Sequence, residues 1–463
     1  MLVQPKADWE MGSIVRKPNL REAAYFALFA LRGQAVGRYY RRMLQEERVG
    51  IPLSITSTKL AGLLAHCKRH VPYYAELMRD TGESHLEDPE GYLTRLPVLT
   101  KDIIRARFND LKSNDLWRRK WYFNTSGGST GEPVRFIQDW ESAARAGAVT
   151  LHFSKLIDRE VGELEVKLWG SKREIVQGSE GWRARIINRI TNTIFLNAFR
   201  MTPEIMRECI AALNAKRPKL IVAYAQAIYE LARFAEREGF EVVPQAAIIT
   251  SATTLYPFMR ETIEKVFQCK VFNRYGSREV GDIACEGPGW EGLWVAPWAN
   301  YVEVVDEKGN RVPDGTEGEI LVTSLTNFAM PLVRYRIGDV GTLSPMKTCD
   351  RERYGQVFQA ILGKTVDLFK TNSGALVEPG YFEALLYFKD WVRRFQVIQK
   401  STSDIIFRIV RADSNCPNAD LDQIMAETRM LMGNDCDVTF EFVDDISASG
   451  SGKYRYQISE VQT

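Results

Sequence analysis

The residue types best suited to holding an anion lie in Thr125-Ser126-Gly127-Gly128-Ser129-Thr130-Gly131-Glu132-Pro133. Its three glycines let a backbone approach a ligand closely, and its four hydroxyls can donate to phosphate oxygens. The pattern is not a P-loop, which ends in Gly-Lys-Ser/Thr. Composition alone divides evenly between a phosphate cradle and a flexible surface loop. The flanks favour the cradle, because Tyr122-Phe123 before it and residues 134–137 after it read as strands, a strand-loop-strand.

Such a loop needs a frame. From about 200 to 275 short apolar strands alternate with helices. Thr202-Pro203 offers a cap and first-turn proline for a helix reaching Lys216, with Ile205, Cys209, Ile210 and Leu213 on one face. Residues 219–224 read as a strand, and the next helix stops at Gly239. A strand over 246–250, a helix over 257–267 and a strand from Lys270 follow. This alternation implies right-handed crossovers and a largely parallel sheet, on which ligands bind at the carboxyl ends of strands. Tyr275 to Glu279 follows one such end directly.

Residues 1–95 read as helical, with Leu60, Leu63, Leu64 and Cys67 at helical spacing until Val71-Pro72. Between 300 and 345 the pattern becomes antiparallel, with strands over 301–305 and 319–323 flanking a turn-rich stretch. After Gly363 a mixed pattern of about a hundred residues begins. The expected fold is α/β: a large N-terminal domain with mostly parallel sheets and an antiparallel, barrel-like subdomain, plus a small mobile α+β C-terminal domain. The expected divisions are 1–95, a helical region packed on the main body, 96–363, the core, and 364–463, a C-terminal lid.

The balance of charge narrows the partners. A net charge of +2 over 463 residues lacks the strongly basic field of a nucleic-acid binder. The seven cysteines are dispersed with no CxxC, which reads as reduced thiols, and the four histidines accompany no cysteine pair at zinc-ligand spacing. The apolar stretch at 23–31 is too short to span a bilayer, and no signal peptide opens the chain. A cytoplasmic protein without an integral membrane segment is the expectation.

The 125–133 loop resembles the Ser/Thr/Gly-rich phosphate loop of the adenylate-forming superfamily, and four further segments follow in that superfamily's order. Tyr275-Gly276-Ser277-Arg278-Glu279 resembles aromatic-Gly-x-x-Glu, and Tyr335-Arg336-Ile337-Gly338-Asp339 resembles Tyr-Arg-x-Gly-Asp. Gly363-Lys364-Thr365-Val366-Asp367 resembles Gly-Arg-x-Asp-Asp, and Gly452-Lys453 with Arg455 the terminal Gly-Lys motif. Val71-Pro72-Tyr73-Tyr74, Leu96-Pro97-Val98-Leu99-Thr100-Lys101 and Met330-Pro331-Leu332-Val333-Arg334-Tyr335 are similar to the phenylacetate–CoA ligase family, including its members associated with capsular polysaccharide synthesis.

The resemblance implies an ATP-dependent ligase that forms an acyl-adenylate, releases pyrophosphate and passes the acyl group to CoA. It also leaves open a carrier-protein thiol, an amine or a sugar hydroxyl as acceptor; a non-catalytic nucleotide-binding module is the alternative of another class. Ser126, Gly127, Gly128, Ser129, Thr130 and Gly131 would hold the ATP phosphates, with Thr130 also counted as catalytic. Tyr275 would stack on adenine beside Gly276 and Ser277. Glu279 would bind Mg²⁺, a hard cation that takes carboxylate oxygen, and Asp339 would accept from the ribose hydroxyls. Arg336 would support that loop or face phosphate, and Lys364 would contact ribose. Lys453 would be the principal catalytic residue, a cation that offsets charge as carboxylate meets the α-phosphorus. Ser251, Ala252 and Thr253 would line the acid pocket.

Some positions depart from the family. Glu132 replaces a common Lys, and Val366 replaces the Asp that often serves as lid hinge. Ser251-Ala252-Thr253-Thr254 replaces an Ala-Glu-Pro-like stretch, which makes phenylacetate a poor default acid. Cys285 survives from the metal cluster of some relatives, but Leu293-Trp294 stands where His is expected, so no zinc is expected. A homodimer is left open.

Overall fold

The computed structural model describes residues 20–52, 54–80, 84–126, 134–169, 182–197, 203–345, 355–364, 369–373, 376–377, 382, 385–386, 389, 391–412, 416–446 and 457–461. The expected strand-loop-strand is present as β1 (Trp121–Thr125) and β2 (Arg135–Asp139), antiparallel with Thr125 opposite Arg135. β2 runs straight into the helix Trp140–Leu156, where Asp139 caps the first turn by accepting from Ser142 N at 2.6 Å.

β3 (Glu165–Trp169), β4 (Thr193–Asn197), β5 (Leu220–Tyr224) and β6 (Ala247–Ser251) are parallel. The helices Pro203–Lys216, Ala225–Glu238 and Pro257–Phe267 connect them and pack on one face. Cys209, Ile210 and Leu213 are buried as their spacing requires, and Gly239 ends its helix at φ +68° in the left-handed region.

β7 (Lys270–Ser277) joins two pairing modes. It is parallel to β6 as far as Asn273 and antiparallel to β8 (Gly281–Cys285) from Arg274 onward. β9 (Leu293–Val295), β10 (Asn300–Val305), β11 (Glu317–Ser324), β12 (Tyr335–Leu343) and β13 (Val357–Lys364) continue antiparallel. The mostly parallel part and the antiparallel subdomain expected within the large N-terminal domain share one 11-stranded mixed sheet, ordered β10-β11-β12-β13-β9-β8-β7-β6-β5-β3-β4. The physical reason is the length of β7: its eight residues offer an edge to each side at different heights.

The N-terminal helix Ile55–His70 buries Leu60, Leu63, Leu64 and Cys67 completely, and Pro72 opens the next short helix. Tyr74 OH donates to Pro331 O at 3.2 Å and accepts from Val333 N at 3.1 Å. Leu99 pairs with the same segment, donating from N to Arg334 O and accepting from Arg336 N, both at 3.0 Å. Arg334, at φ +51°, sends its buried guanidinium to Glu303 at 3.1 Å, Leu96 O at 2.7 Å and Gly309 O at 2.8 Å. The opening segments thus clamp the start of β12 (Tyr335–Leu343), the strand that carries Asp339.

Beyond β13, β14 (Phe369–Lys370) and β15 (Leu376–Val377) form a hairpin. β16 (Val392–Ser401), β17 (Asp404–Arg411), β18 (Asp437–Phe442) and β19 (Gln457–Ser459) build a second sheet, ordered β18-β17-β16-β19. The helix Asn418–Met432 buries Ile424 and Met432 in the same apolar cluster as β16 and β17. The small C-terminal unit is α+β with its own sheet. Among the described residues, no helix is long and apolar enough to cross a membrane.

Candidate active site

The neck of the 125–133 loop is built by Ser126. Its N donates to Val134 O at 2.9 Å, and its buried Oγ accepts from Val134 N at 2.8 Å. Ser126 therefore closes the hairpin, and among the described residues its hydroxyl hydrogen is given no acceptor. Gly127, Gly128, Ser129, Thr130 and Gly131 lie outside the described residues.

One side chain ties this hairpin to the next motif. Gln138 Nε2 donates to Arg278 O at 3.0 Å and Glu279 O at 3.2 Å, while its Oε1 accepts from Tyr122 OH and Asn124 Nδ2, each at 3.0 Å. Glu279 is 9 % exposed, and its Oε1 accepts from Tyr335 OH at 3.2 Å. Among the described residues its Oε2 takes part in no hydrogen bond, and carboxylate oxygen is the ligand type that a hard cation takes.

Tyr275 OH donates to Asp339 Oδ2 at 2.7 Å, joining two motifs 64 residues apart. Burial first, and the Asp339 charge second, push the Tyr275 phenol well above its usual range, so it remains a donor. Its ring meets Phe358 edge-on with centroids 5.8 Å apart. Gly338, at φ +84°, lies within β12 where its pairing with β11 shifts register, a backbone conformation that a side chain would strain. Asp339 faces Lys364 across β12 and β13, although the Lys364 side chain lies outside the description. Arg336 pairs with Glu319 at 3.0 Å across β11 and β12, which gives it a cross-strand partner on this sheet.

The expected acid-pocket residues follow the carboxyl end of β6. Ser251 is 7 % exposed, Ala252 sits at φ +70°, and the buried Thr253 Oγ1 has no protein partner. Thr254 Oγ1 lies 3.1 Å from where a Cβ on Gly363 would stand, which brings this turn against the end of β13. The Ser277 hydroxyl is likewise buried without a partner. Lys453 lies outside the described residues, but Gln457, four positions on, donates from Nε2 to Tyr256 OH at 3.3 Å beside that same turn.

This geometry agrees with the comparisons. Residues 369–460 match a family model described as the CapK C-terminal domain. Protein CapK of Staphylococcus aureus is 23% identical over 428 residues, covering 92% of this chain and 93% of that protein. The phenylacetate–coenzyme A ligase of Thermus thermophilus is 24% identical, covering 77% and 78% respectively. The chain is CapK-like: along most of its length it is similar to CapK and to phenylacetate–CoA ligases. The crystal structure of 2-hydroxyisobutyryl-CoA ligase in the postadenylation state, in complex with R3-HIB-AMP, shares the fold at TM-score 0.68 and 19% identity. That alignment covers 89% of this chain and 91% of the other.

Sequence reasoning missed Gln138 and Tyr335 as site builders. Tyr335 stood inside a quoted motif; Gln138 is one polar residue on a strand, with no local signal of its role. A second cluster, His66, His70 and Asp115, brings three ligand atoms within 4.8 Å of one another. Its atoms are already engaged: His66 Nε2 with Phe328 O, His70 Nδ1 with Asn114, and Asp115 with Ser113 and Arg119. The Arg119 guanidinium, 3.0 Å from Asp115, supplies the cation there.

Proposed function

We propose that the chain activates a carboxylic acid with ATP and transfers the acyl group to CoA. The observation that carries this reading is the joining of Tyr275 to Asp339 at 2.7 Å beside Glu279, whose carboxylate is oriented by Tyr335. Distant motifs would thereby supply a donor-bearing aromatic ring, a ribose acceptor and, among the described residues, a carboxylate oxygen with no hydrogen bond. The similarity to a phenylacetate–coenzyme A ligase, and to the fold of a CoA ligase solved in complex with R3-HIB-AMP, supports it.

In the first half-reaction an acid oxygen attacks the α-phosphorus, the bond from that phosphorus to the β-bridging oxygen breaks, and pyrophosphate leaves with that electron pair. Asp339 would orient the ribose, Tyr275 the base, and the 126–131 loop the β- and γ-phosphates. Mg²⁺, held by Glu279, would offset charge on the phosphate oxygens. Lys453 would meet the charge that builds where acid and phosphate oxygens converge. In the second half-reaction the CoA sulfur attacks the acyl carbonyl, the bond to the phosphate oxygen breaks, AMP leaves, and the thiol proton passes to solvent.

A pyrophosphate-release assay over a panel of carboxylic acids tests the first step, and acyl-CoA formation on adding CoA tests the second. Release with an amine, a carrier thiol or a sugar as the better acceptor would retain adenylation and overturn CoA. ATP binding without release for any acid would overturn adenylation and leave a binding module.

A further inference from the structure

The face of the parallel strands turned toward the helix Trp140–Leu156 is charged in an unexpected place. Its floor is apolar, made by Ile157, Leu220, Val222, Ala247 and Ile249. Strand alternation sends Glu165, Lys167 and Trp169 of β3 to this side, and Arg274 of β7 joins them. Arg159 lies 3.0 Å from Glu165, and Lys167 Nζ lies 3.4 Å from the same carboxylate. Among the described residues Arg274 forms its one ion pair with Asp282, at 3.5 Å, and the Asp282 oxygen concerned already accepts from Thr150 at 2.7 Å.

These groups form one electrostatic cluster. Burial opposes ionisation of Glu165, yet Lys167, Arg159 and Arg274 together hold its carboxyl below the ordinary range. Among the described residues Arg159 and Lys167 share Glu165, while Arg274 has Asp282. Arg274 is the most loosely held of the three. Its side chain is only 10 % exposed, its Nε has no hydrogen-bond partner, and its ion pair is longer than a charge-assisted hydrogen bond of about 2.7–2.9 Å. A guanidinium has five donors in a planar fork that matches a carboxylate or phosphate, and a buried cation short of acceptors is costly. Lys167, 34 % exposed, keeps one side of the cluster open to solvent.

The position is suited to substrate. Arg274 directly precedes Tyr275, and alternation turns the two to opposite faces of β7, one toward this cluster and one toward Asp339. At the carboxyl ends of β3 and β5, Trp169 and Tyr224 lie with ring centroids 4.2 Å apart, forming an aromatic wall at the strand ends where ligands bind.

We propose that Arg274 receives a second anionic group of the acid, so that the substrate is a carboxylic acid carrying a distal carboxylate or phosphate. The proposal rests on the adenylation reading for the reaction, though not for the binding.

The test pairs acids of equal length that differ only at the far end, a dicarboxylate or phospho-acid against its ω-amide or methyl counterpart. Wild-type kcat/KM in ATP–pyrophosphate exchange should favour the dianionic acid by a factor on the order of 10². Arg274→Gln should collapse that ratio chiefly through KM, and Arg274→Lys should restore part of it. A ratio is read within each variant, so partial loss of folded protein does not imitate the result. Equal turnover of both acids by the wild type, or an unchanged ratio in Arg274→Gln, overturns the proposal. Calorimetric titration of the same acids without ATP separates the two readings. Arg274-dependent binding of the dianionic acid with no exchange for any acid keeps this site and overturns adenylation. Exchange without dianionic preference does the reverse.

Discussion

Gln138→Glu tests whether the β1–β2 hairpin positions Glu279. The substitution preserves shape and keeps an oxygen facing Tyr122 OH and Asn124 Nδ2. It replaces the Nε2 donor with an oxygen aimed at two carbonyls, Arg278 O at 3.0 Å and Glu279 O at 3.2 Å. Each lost bond is worth about 0.5–1.5 kcal/mol, so the pair contributes roughly 1–3 kcal/mol before oxygen–oxygen repulsion is added. The 278–279 backbone should relax away from β2, carrying the Glu279 carboxylate with it. A displacement near 1 Å in a catalytic group costs on the order of 10² in rate. The expected result is a modest fall in thermal midpoint with a large fall in kcat for ATP–pyrophosphate exchange, and a higher Mg²⁺ requirement. Gln138→Leu should lower kcat less, because it removes the donor without placing a charge against the carbonyls. A Gln138→Glu protein that melts earlier but exchanges at the wild-type rate and Mg²⁺ dependence would refute the positioning argument.

Other perturbations have equally definite outcomes. Burial first and Arg119 second lower the His66 pKa from 6.5 to about 4, so unfolding takes up a proton between those values. Stability should therefore fall as pH drops from 6.5 toward 4, and denaturant melts of His66→Gln should lose that part of the slope. Arg334→Met leaves Glu303 buried without its cation and should cost about 3–5 kcal/mol in equilibrium unfolding, with the double substitution Arg334→Met, Glu303→Leu recovering much of it. A single substitution that costs nothing would sink that account. Lys453→Ala should lower adenylation by about 10²–10³ with ATP affinity nearly unchanged, measured by exchange and by nucleotide titration. Normal exchange would remove Lys453 from the mechanism.

Much of the frame was legible because its signals are local. Apolar runs between caps located β5, β6 and their helices, and Gly239 marked its helix end through the one conformation that suits glycine there. The joining of the sheets was not legible. β13 pairs with β9 through Val357 and Trp294, a contact set by closure of a long loop rather than by any neighbouring residue. Gln138 is hidden for the same reason, since its partners lie 140 and 141 positions away. Arg274 stands beside a quoted motif but reads as an ordinary strand cation until Asp282 and Glu165 are seen around it.

The Tyr-Gly pair acquires a physical meaning from this arrangement. A Cβ on residue 276 would stand 2.7 Å from Gly281 O and 2.9 Å from Asp282 Cα, closer than any side chain tolerates. Glycine there lets β8 close on β7 with the register shift that falls between Tyr275 and Gly276. That closure fixes both neighbours at once. Asp282, opposite Gly276, is brought to Arg274 on one face, while Tyr275 is held toward Asp339 on the other. In a strand whose side chains alternate with period two, slipping by one residue would exchange those faces. The glycine is thus a register device, placing the aromatic ring toward the proposed nucleotide side and the cation toward the proposed acid side.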